Sequence, residues 1–343
     1  MKIAVGISGG VDSAVAALLL KEQGHELVGV TMALGRANEA QSVAEAQSVA
    51  DRLGIPLEVF DFSAAWHAQV LEYVRRTYLG GQTPNPCVRC NETVKFGLLP
   101  QAAFDLGCER FATGHYARVT IPTSSVCRLP PPVLLRAVDK TKDQSYFLYR
   151  VKPEILAKTI FPLGELTKAE VREIAHKAGF AAADRADSQD FCGGDPMAIV
   201  GAEPREGNIV TVDGKVLGKH QGFWNYTIGK RKGLGIGGGT PYYVIGLNAA
   251  RNEVIVGFKE SSVVREFKVD RVVSLTSGED AASPFALSVK VRSAGEPKGP
   301  VILGGDTVRC PDGIAGVAPG QSAVFYRGDE VVGGGIIKAD SML

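Results

Sequence analysis

The sequence carries almost no net charge. Its 38 Lys and Arg side chains are balanced by 37 Asp and Glu, which leaves a formal net charge of +1 over 343 residues. Proteins that attract nucleic acid with their whole surface hold a large positive excess, because only the summed charge reaches far into solvent. This chain has no such excess, so any surface that binds nucleic acid has to be a local patch.

Membrane-spanning and export segments are also missing from the sequence. No apolar run is long enough to cross a bilayer, and the first residues enter a strand-like pattern without the charged and apolar regions of a signal peptide. Hydrophobic residues make up 45% of the chain and charged residues 22%, as in ordinary globular proteins. We therefore expect a multidomain cytoplasmic protein with no membrane partner.

Cysteine is scarce. Six cysteines in 343 residues are too few for a disulfide scaffold. In a reducing compartment, two cysteines that lie close in sequence indicate metal binding or catalysis instead. Cys87 and Cys90 form such a pair.

The first segment of the chain predicts an anion-binding loop. An apolar strand, Lys2 to Ile7, runs into the turn Ser8-Gly-Gly-Val-Asp-Ser13, and a helix-forming segment follows. Gly9 or Gly10 can adopt a positive φ, and the free amides of a helix N-terminus attract anions. The turn has neither the Lys of the common phosphate-binding loop nor the glycine spacing of a dinucleotide fold. The alternative is a tight turn whose small residues serve packing only.

The following elements predict a doubly wound, parallel α/β sheet. Strand-like Glu26–Met32 and Leu57–Phe62 flank a helical segment, Glu39–Leu53, which gives a βαβαβ order with the first strand and helix. Met32 ends its strand at the carboxyl edge, where such sheets bind ligands. A methionine of the core is the alternative interpretation.

The cysteine pair lies in a segment that contains two prolines, Thr83-Pro-Asn-Pro-Cys-Val-Arg-Cys-Asn91. Because proline interrupts regular helix, we expect a loop here, before a helix that begins near Val94. A thiolate close to that helix N-terminus and to Arg89 should have a lowered pKa.

Polar residues recur at later points in the chain. His115 follows a strand-like run from Phe111, although a lone histidine is often structural. Lys140 to Leu148 brings charged and amide groups directly before an apolar run, for which a solvated turn is the alternative. Thr167 to Gly179 is predicted to be a capped helix, and Asp187 to Cys192 a polar loop that carries another cysteine.

From about Gly207 onward, the sequence pattern predicts mainly β-strands. Short strand-like runs separated by glycine turns replace the helical patterns. We predict three domains: an α/β domain at 1–205, a small central β-rich domain at 206–262 and a β-barrel-like domain at 263–343.

One loop of the central domain is locally basic. Lys230, Arg231 and Lys232 follow one another among glycines, with Trp224 and Tyr226 nearby. Clustered positive charge beside aromatic rings and exposed backbone is suited to a folded RNA. A solvated turn is the plainer interpretation.

Six motifs, taken in order, resemble those of the bacterial tRNA-specific 2-thiouridylases, a branch of the ATP-pyrophosphatases. They are Gly6-Ile-Ser-Gly-Gly-Val-Asp-Ser13, Thr83-Pro-Asn-Pro86 with Cys90-Asn91, Ala112-Thr-Gly-His-Tyr116, Lys142-Asp-Gln-Ser-Tyr-Phe147, Asp187-Ser-Gln-Asp190 with Cys192, and Gly218-Lys-His-Gln-Gly222. The resemblance implies an adenine-nucleotide α-hydrolase-like domain and an enzyme that adenylates the C2 oxygen of the wobble uridine and replaces it with sulfur.

The resemblance also implies ligands and the residues that meet them. ATP with Mg²⁺ and tRNA are expected, together with a sulfur donor such as a cysteine desulfurase, a relay protein or free sulfide. The implied ATP-binding residues are Gly6, Ile7, Ser8, Gly9, Gly10, Val11, Asp12, Ser13, Met32 and Gly114. The implied tRNA-contacting residues are Asn85, Pro86, Cys87, His115, Lys142, Asp143, Gln144, Arg292 and Gln321. Asp12 is expected to help to hold Mg²⁺, and Ser293 replaces an aromatic residue that is common in the family.

The cysteines depart from the best-known family pattern, which has Asp at the position of Cys87. By resemblance, Cys90 is the nucleophile and Cys192 carries a persulfide. With Cys87 the chain has three thiolates, and three thiolates can hold a [4Fe-4S] cluster whose fourth iron binds sulfur. A cluster, a two-cysteine persulfide route, and zinc or a redox disulfide therefore stay open as interpretations.

Two other functions are weighed against thiolation. A small-molecule amidating or ligating enzyme with the same ATP loop would not need Cys90, Cys192 or the β-rich tail. A non-catalytic tRNA-binding protein would not need an intact Ser8-Gly-Gly-Val-Asp-Ser13 loop.

Overall fold

The computed structural model describes residues 1–121, 131–180, 195–237, 239–276 and 287–339. The predicted polar loop with Cys192 lies outside these residues. The described strands are β1 Lys2–Gly6, β2 Glu26–Ala33, β3 Leu57–Asp61, β4 Arg110–Thr113, β5 Ala117–Thr120, β6 Val133–Arg136, β7 Thr159–Ile160, β8 Gly207–Thr211, β9 Val216–His220, β10 Tyr243–Asn248, β11 Glu253–Gly257, β12 Val263–Ser274, β13 Leu287–Lys290, β14 Lys298–Gly304, β15 Thr307–Ala315, β16 Ser322–Arg327 and β17 Glu330–Ile337.

The described α-helices mostly belong to the N-terminal half of the chain. They are α1 Val11–Glu22, α2 Glu39–Leu53, α3 Ser63–Trp66, α4 Glu72–Leu79, α5 Pro86–Cys90, α6 Leu99–Asp105, α7 Pro153–Leu156, α8 Lys168–Lys177 and α9 Pro196–Val200. Wider, π-helical turns at His67–Leu71 and Asn91–Leu98 join α3 to α4 and α5 to α6, so each pair forms one continuous helical rod.

The N-terminal sheet confirms the predicted doubly wound α/β fold. Its strands pair in parallel in the order β3-β2-β1-β4-β7. Alternate residues of β1 face opposite sides: Ile3 and Val5 pack with α1, α2 and α8, whereas Ala4 packs with α6 and with residues of the barrel. The capped start of α8 is also as predicted, because Thr167 and Glu170 bond reciprocally to each other's backbone amides.

The prediction of a loop around the cysteine pair is wrong. A helix begins at Pro86, so both Cys87 and Cys90 lie in its first turns, and the helical rod continues far beyond Val94. Proline is favourable at the first helical position, where its missing N–H would have no partner and its φ is already helical. Asn85 accepts a hydrogen bond from Val88 N at 3.1 Å and caps this helix.

The C-terminal strands form a four-stranded sheet and a closed barrel. The central sheet has the order β10-β11-β8-β9. In the last domain β12, β15, β14, β13, β16 and β17 pair in turn, and β12 also pairs with β17, which closes a six-stranded barrel. The barrel sheet continues from β17 into β6 and β5 of the N-terminal half. This last pairing is not apparent in the sequence pattern.

Within the described part of the chain, no helix is both long enough and apolar enough to cross a membrane.

Candidate active site

The loop after β1 presents the start of α1 as an anion site. Gly9 has the positive φ that the sequence predicts, +77°, and Gly10 is the residue before the helix. Gly10 has no side chain to cap the helix, and no side-chain cap is described there, so the first amides of α1 remain available. Ser8 N donates to Ser13 Oγ at 3.2 Å, which holds the two hydroxyls on one side of the turn.

Two glycines fix this loop against its neighbours. A Cβ atom on Gly9 would lie 2.5 Å from Glu45 Cβ on α2. A Cβ atom on Gly114 would lie 2.7 Å from the carbonyl carbon of Asp12 and 2.8 Å from the amide nitrogen of Ser13. Gly114 therefore acts on the loop by close packing of backbone on backbone.

Asp12 is the centre of a charged group at the start of α1. Its Oδ1 accepts hydrogen bonds from Tyr116 Oη at 2.8 Å and from Lys168 Nζ at 2.7 Å. The Lys168 side chain is only 10% exposed, so this ion pair is screened less than a surface pair. A cation thus lies beside the anion site.

Lys168 was not among the residues singled out from the sequence. The pattern around Thr167 predicts a helix but does not show which helix its first turn meets. That contact depends on β1 and β4 being neighbours and on α8 packing against α1. No local signal in the sequence identifies it.

The two cysteines of the pair differ in burial. Cys87 is half-buried, whereas Cys90 is 6% exposed and packs with Trp66 and Val94. Residues three apart on a helix share a face, so the two side chains lie on the same side of the helix. The nearby Arg89 guanidinium makes an ion pair with Glu92 at 3.0 Å.

The barrel supports the segment that leads into the cysteine helix. Gln321 Nε2 donates to Pro84 O at 2.7 Å, and Thr83 N donates to Pro319 O at 2.7 Å. A Cβ on Gly320, whose φ is +87°, would lie 2.8 Å from Thr83 O, so the two backbones touch. The position of the cysteines relative to the sheet therefore depends on a domain that begins about 170 residues later in the chain.

Several residues predicted to contact tRNA are engaged within the protein. His115 is 9% exposed, its Nδ1 lies 2.8 Å from Thr113 Oγ1, and burial holds the pKa of its ring well below the usual range. Asp143 is buried against Arg136, and Gln144 Oε1 accepts a hydrogen bond from Tyr116 N. In this state His115 and Asp143 offer little surface to a macromolecule.

The predicted barrel contact Arg292 bridges two domains. Its guanidinium donates to Gly316 O in the barrel at 3.0 Å and to Ile228 O in the central domain. Burial lowers the pKa of this group. Met32 lies at the carboxyl end of β2 as predicted and is partly buried between two apolar clusters.

The three-cysteine hypothesis is not tested by the described residues. Among them, no group of three or more His, Cys, Asp or Glu side chains is placed to hold a metal ion. Cys192, which the cluster and the persulfide routes both need, falls outside the described ranges.

Three known family profiles match most of the chain. Residues 1–193 match a family profile described as tRNA methyl transferase HUP domain, residues 200–258 match a tRNA methyl transferase PRC-barrel domain, and residues 264–337 match an aminomethyltransferase beta-barrel domain.

Full-length relatives carry one shared description, tRNA-specific 2-thiouridylase MnmA. The relative from Endomicrobium trichonymphae is 44% identical over 362 residues, which covers 98% of this chain and 99% of the relative. The relative from Trichormus variabilis is 42% identical over 98% of each chain, and that from Roseiflexus sp. is 42% identical over 99% of this chain and 100% of its own. With this identity along almost its entire length, the chain belongs to the tRNA-specific 2-thiouridylase (MnmA) family.

Proposed function

We propose that the protein is an ATP-dependent tRNA-uridine 2-sulfurtransferase that acts on the wobble uridine. The observation that carries the proposal is the Ser8–Ser13 loop, whose open helix N-terminus, Asp12 and Lys168 lie at the carboxyl edge of the sheet in a chain of this family. A uracil carbonyl has no leaving group. Attack of its C2 oxygen on the α-phosphorus of ATP releases pyrophosphate, and attack of sulfur on C2 then releases AMP together with that oxygen.

The residues of the loop fit ATP and Mg²⁺. The amides at the start of α1 and the hydroxyls of Ser8 and Ser13 suit phosphate oxygens, and the carboxylate of Asp12 suits Mg²⁺. When bound, Mg²⁺ neutralises charge on the departing pyrophosphate. Lys168 lies 2.7 Å from Asp12 and adds a fixed cation on the same side. We assign to Lys168 the neutralisation of the phosphate charge that Mg²⁺ leaves uncompensated.

The cysteine helix would deliver sulfur to the activated base. Asn85, Pro86 and Cys87 are placed against the target uracil in this proposal, and Cys90 lies one turn further along the same helix face. The base has to leave its stack, because C2 of a stacked base is not accessible to ATP and sulfur together.

Two sulfur routes fit the chain. Cys87, Cys90 and Cys192 would hold three irons of a [4Fe-4S] cluster, whose open iron would supply bound sulfur. Alternatively, Cys192 carries a persulfide and Cys90 completes its reductive release, with Cys87 auxiliary. Iron, sulfide and zinc analysis of anaerobically purified protein separates the two routes.

The β-rich domains are proposed to hold the tRNA. Arg231 and Lys232 are exposed. Lys230 Nζ lies 4.9 Å from the centre of the Tyr226 ring, a cation–π contact that holds this side chain beside the other two cations. The family-profile limits support the proposed division at 1–205, 206–262 and 263–343, and we propose that the enzyme works in the cytoplasm.

The proposal is tested by incubating the protein with unmodified tRNA, ATP, Mg²⁺ and sulfide. Nucleoside mass spectrometry should detect 2-thiouridine, and AMP should form only when tRNA is present. AMP formation without tRNA, accelerated by ammonia or a small acceptor, would support the amidating alternative. Binding of tRNA without any AMP would support a non-catalytic protein.

A further inference from the structure

A charged cluster lies where the barrel meets the N-terminal half of the chain. It consists of Arg136 at the end of β6, Asp143 in the following turn, Lys290 at the end of β13, and Glu296. Asp143 is satisfied: it accepts hydrogen bonds from Arg136 Nε at 3.1 Å, from Ala137 N at 3.2 Å, and from the amide and hydroxyl of Ser145. Its single negative charge is matched by Arg136.

Lys290 is a second cation in this cluster, in addition to the paired Arg136. It is 4% exposed, and the negative charges that act on it are the carboxylates of Asp143 and Glu296. Its described contact is with the face of the Tyr146 ring, whose centre lies 5.9 Å from Nζ. Holding a second cation in a largely buried position is costly, so a protein that tolerates one usually gains something at that site.

Arg136 reaches toward Glu296 on its other side. Its Nη2 is buried and lies 2.8 Å from Glu296 Oε2, but the geometry of this ion pair does not make a hydrogen bond. The Glu296 side chain is 60% exposed, whereas that of Arg136 is 7% exposed. The cluster therefore opens to solvent at Glu296, where an exposed carboxylate lies beside two buried cations.

Given the proposed function, we propose that Arg136 and Lys290 form an anion subsite for one backbone phosphate of the bound tRNA, and that Glu296 occupies this subsite in the free protein. The exchange conserves charge, because a phosphodiester and a carboxylate each carry one negative charge. A phosphate offers several acceptor oxygens, so one phosphate can meet both the Arg136 guanidinium and the Lys290 ammonium.

The position of the subsite favours RNA over the phosphates of ATP. Tyr146, which lies under Lys290, interacts with the side chain of Asn85, the residue that caps the cysteine helix. The ATP loop has a separate cation, Lys168, already placed against Asp12. A phosphate at Lys290 would fix the RNA beside the helix that carries Cys87.

The test compares binding of an unmodified tRNA transcript by the full-length parent, Lys290→Met and Glu296→Gln, between about 50 and 200 mM salt. Lys290→Met should weaken binding about tenfold and reduce the salt slope by about one phosphate contact, without lowering the melting temperature. Glu296→Gln should tighten binding, because the competing carboxylate is lost. Exposed Lys268→Met and Glu266→Gln, on the same barrel, are the matched controls and should change binding much less.

The outcomes separate this inference from the proposed function. A parent that neither binds nor thiolates tRNA overturns the function itself. A parent that thiolates tRNA while both variants bind it with parental affinity and salt slope overturns only the subsite, as does a raised KM for ATP with unchanged tRNA affinity. If Lys290→Met is less stable than the parent, Glu296→Gln decides: unchanged or weaker binding refutes the subsite.

Discussion

The nucleotide loop and the cysteine helix are built in different ways. Most of the contacts that shape the loop come from the N-terminal sheet and its helices, such as Glu45 against Gly9 and Gly114 against Asp12. The cysteine helix is held by Asn85 within its own segment but also by Pro319 and Gln321 of the barrel. The shape of the nucleotide loop thus depends mainly on one domain, whereas the position of the cysteine helix depends on two.

The largest effect is expected at the cysteine helix, where sulfur transfer should be lost while the nucleotide loop stays active. Cys90→Ala should abolish formation of 2-thiouridine while tRNA-dependent release of pyrophosphate in a single turnover persists, because the loop is untouched. Cys87→Asp distinguishes the sulfur routes: a persulfide mechanism keeps thiolating without iron, whereas a cluster mechanism loses both iron and activity. Nucleoside mass spectrometry with iron analysis measures both. Loss of pyrophosphate release in Cys90→Ala would contradict the separation.

The second largest effect is expected at the nucleotide loop. Asp12→Ala and Lys168→Ala should each reduce kcat for tRNA-dependent AMP formation about a hundredfold or more, because each removes charge stabilisation of the leaving pyrophosphate. Excess Mg²⁺ should partly rescue Asp12→Ala but not Lys168→Ala, while Lys168→Arg should retain part of the activity. Thiolation at the parental rate by Asp12→Ala at saturating ATP would refute the assignment.

A smaller effect is expected in the central domain, which belongs to neither region. Replacement of Lys230, Arg231 and Lys232 by Ala should weaken tRNA binding about tenfold and lower its salt slope by about two contacts, because phosphate contacts release counterions. The affinity for ATP should not change. An unaltered salt slope would show that this patch does not meet RNA.

The smallest effect is expected at the contact between the barrel and the cysteine helix, which tests the comparison with the nucleotide loop. Gln321→Ala removes the hydrogen bonds that Nε2 donates to Pro84 O at 2.7 Å and to Thr83 O at 3.3 Å, a loss of about 1 kcal/mol, and should lower the thiolation rate a few-fold. The affinity for ATP, measured by calorimetry, should stay at the parental value. Equal losses in ATP affinity and thiolation would show that the loop also depends on the barrel.

The parts of the fold that local sequence patterns determine could be predicted. The strand, glycine turn and helix at residues 2–22 and the capped α8 follow from short-range rules, and the structure confirms them. The loop predicted for Cys87 and Cys90 is wrong because Pro86 begins a helix instead of breaking one, and proline is favourable at the first helical position.

Contacts between distant segments could not be predicted in the same way. The pair of Asp12 with Lys168 joins residues 156 positions apart and depends on the order of strands in the sheet. The sequence also did not show that the His115 ring would lie among Phe96 and Phe161, because a single polar residue after a strand does not reveal whether it is buried; its contact with tRNA stays a prediction. Closure of the barrel by β12 and β17 also lacks a local signal.

The continuation of the barrel sheet into β6 limits how the protein can be divided. Strand β17 pairs with β6 through Glu330 and Leu135, and Val324, Tyr326 and Val331 of the barrel belong to the same apolar core as Phe111 of the N-terminal sheet. A fragment that ends before the barrel would expose this core and an unpaired strand edge, both of which promote aggregation. We therefore expect that the N-terminal domain aggregates when it is produced without the barrel.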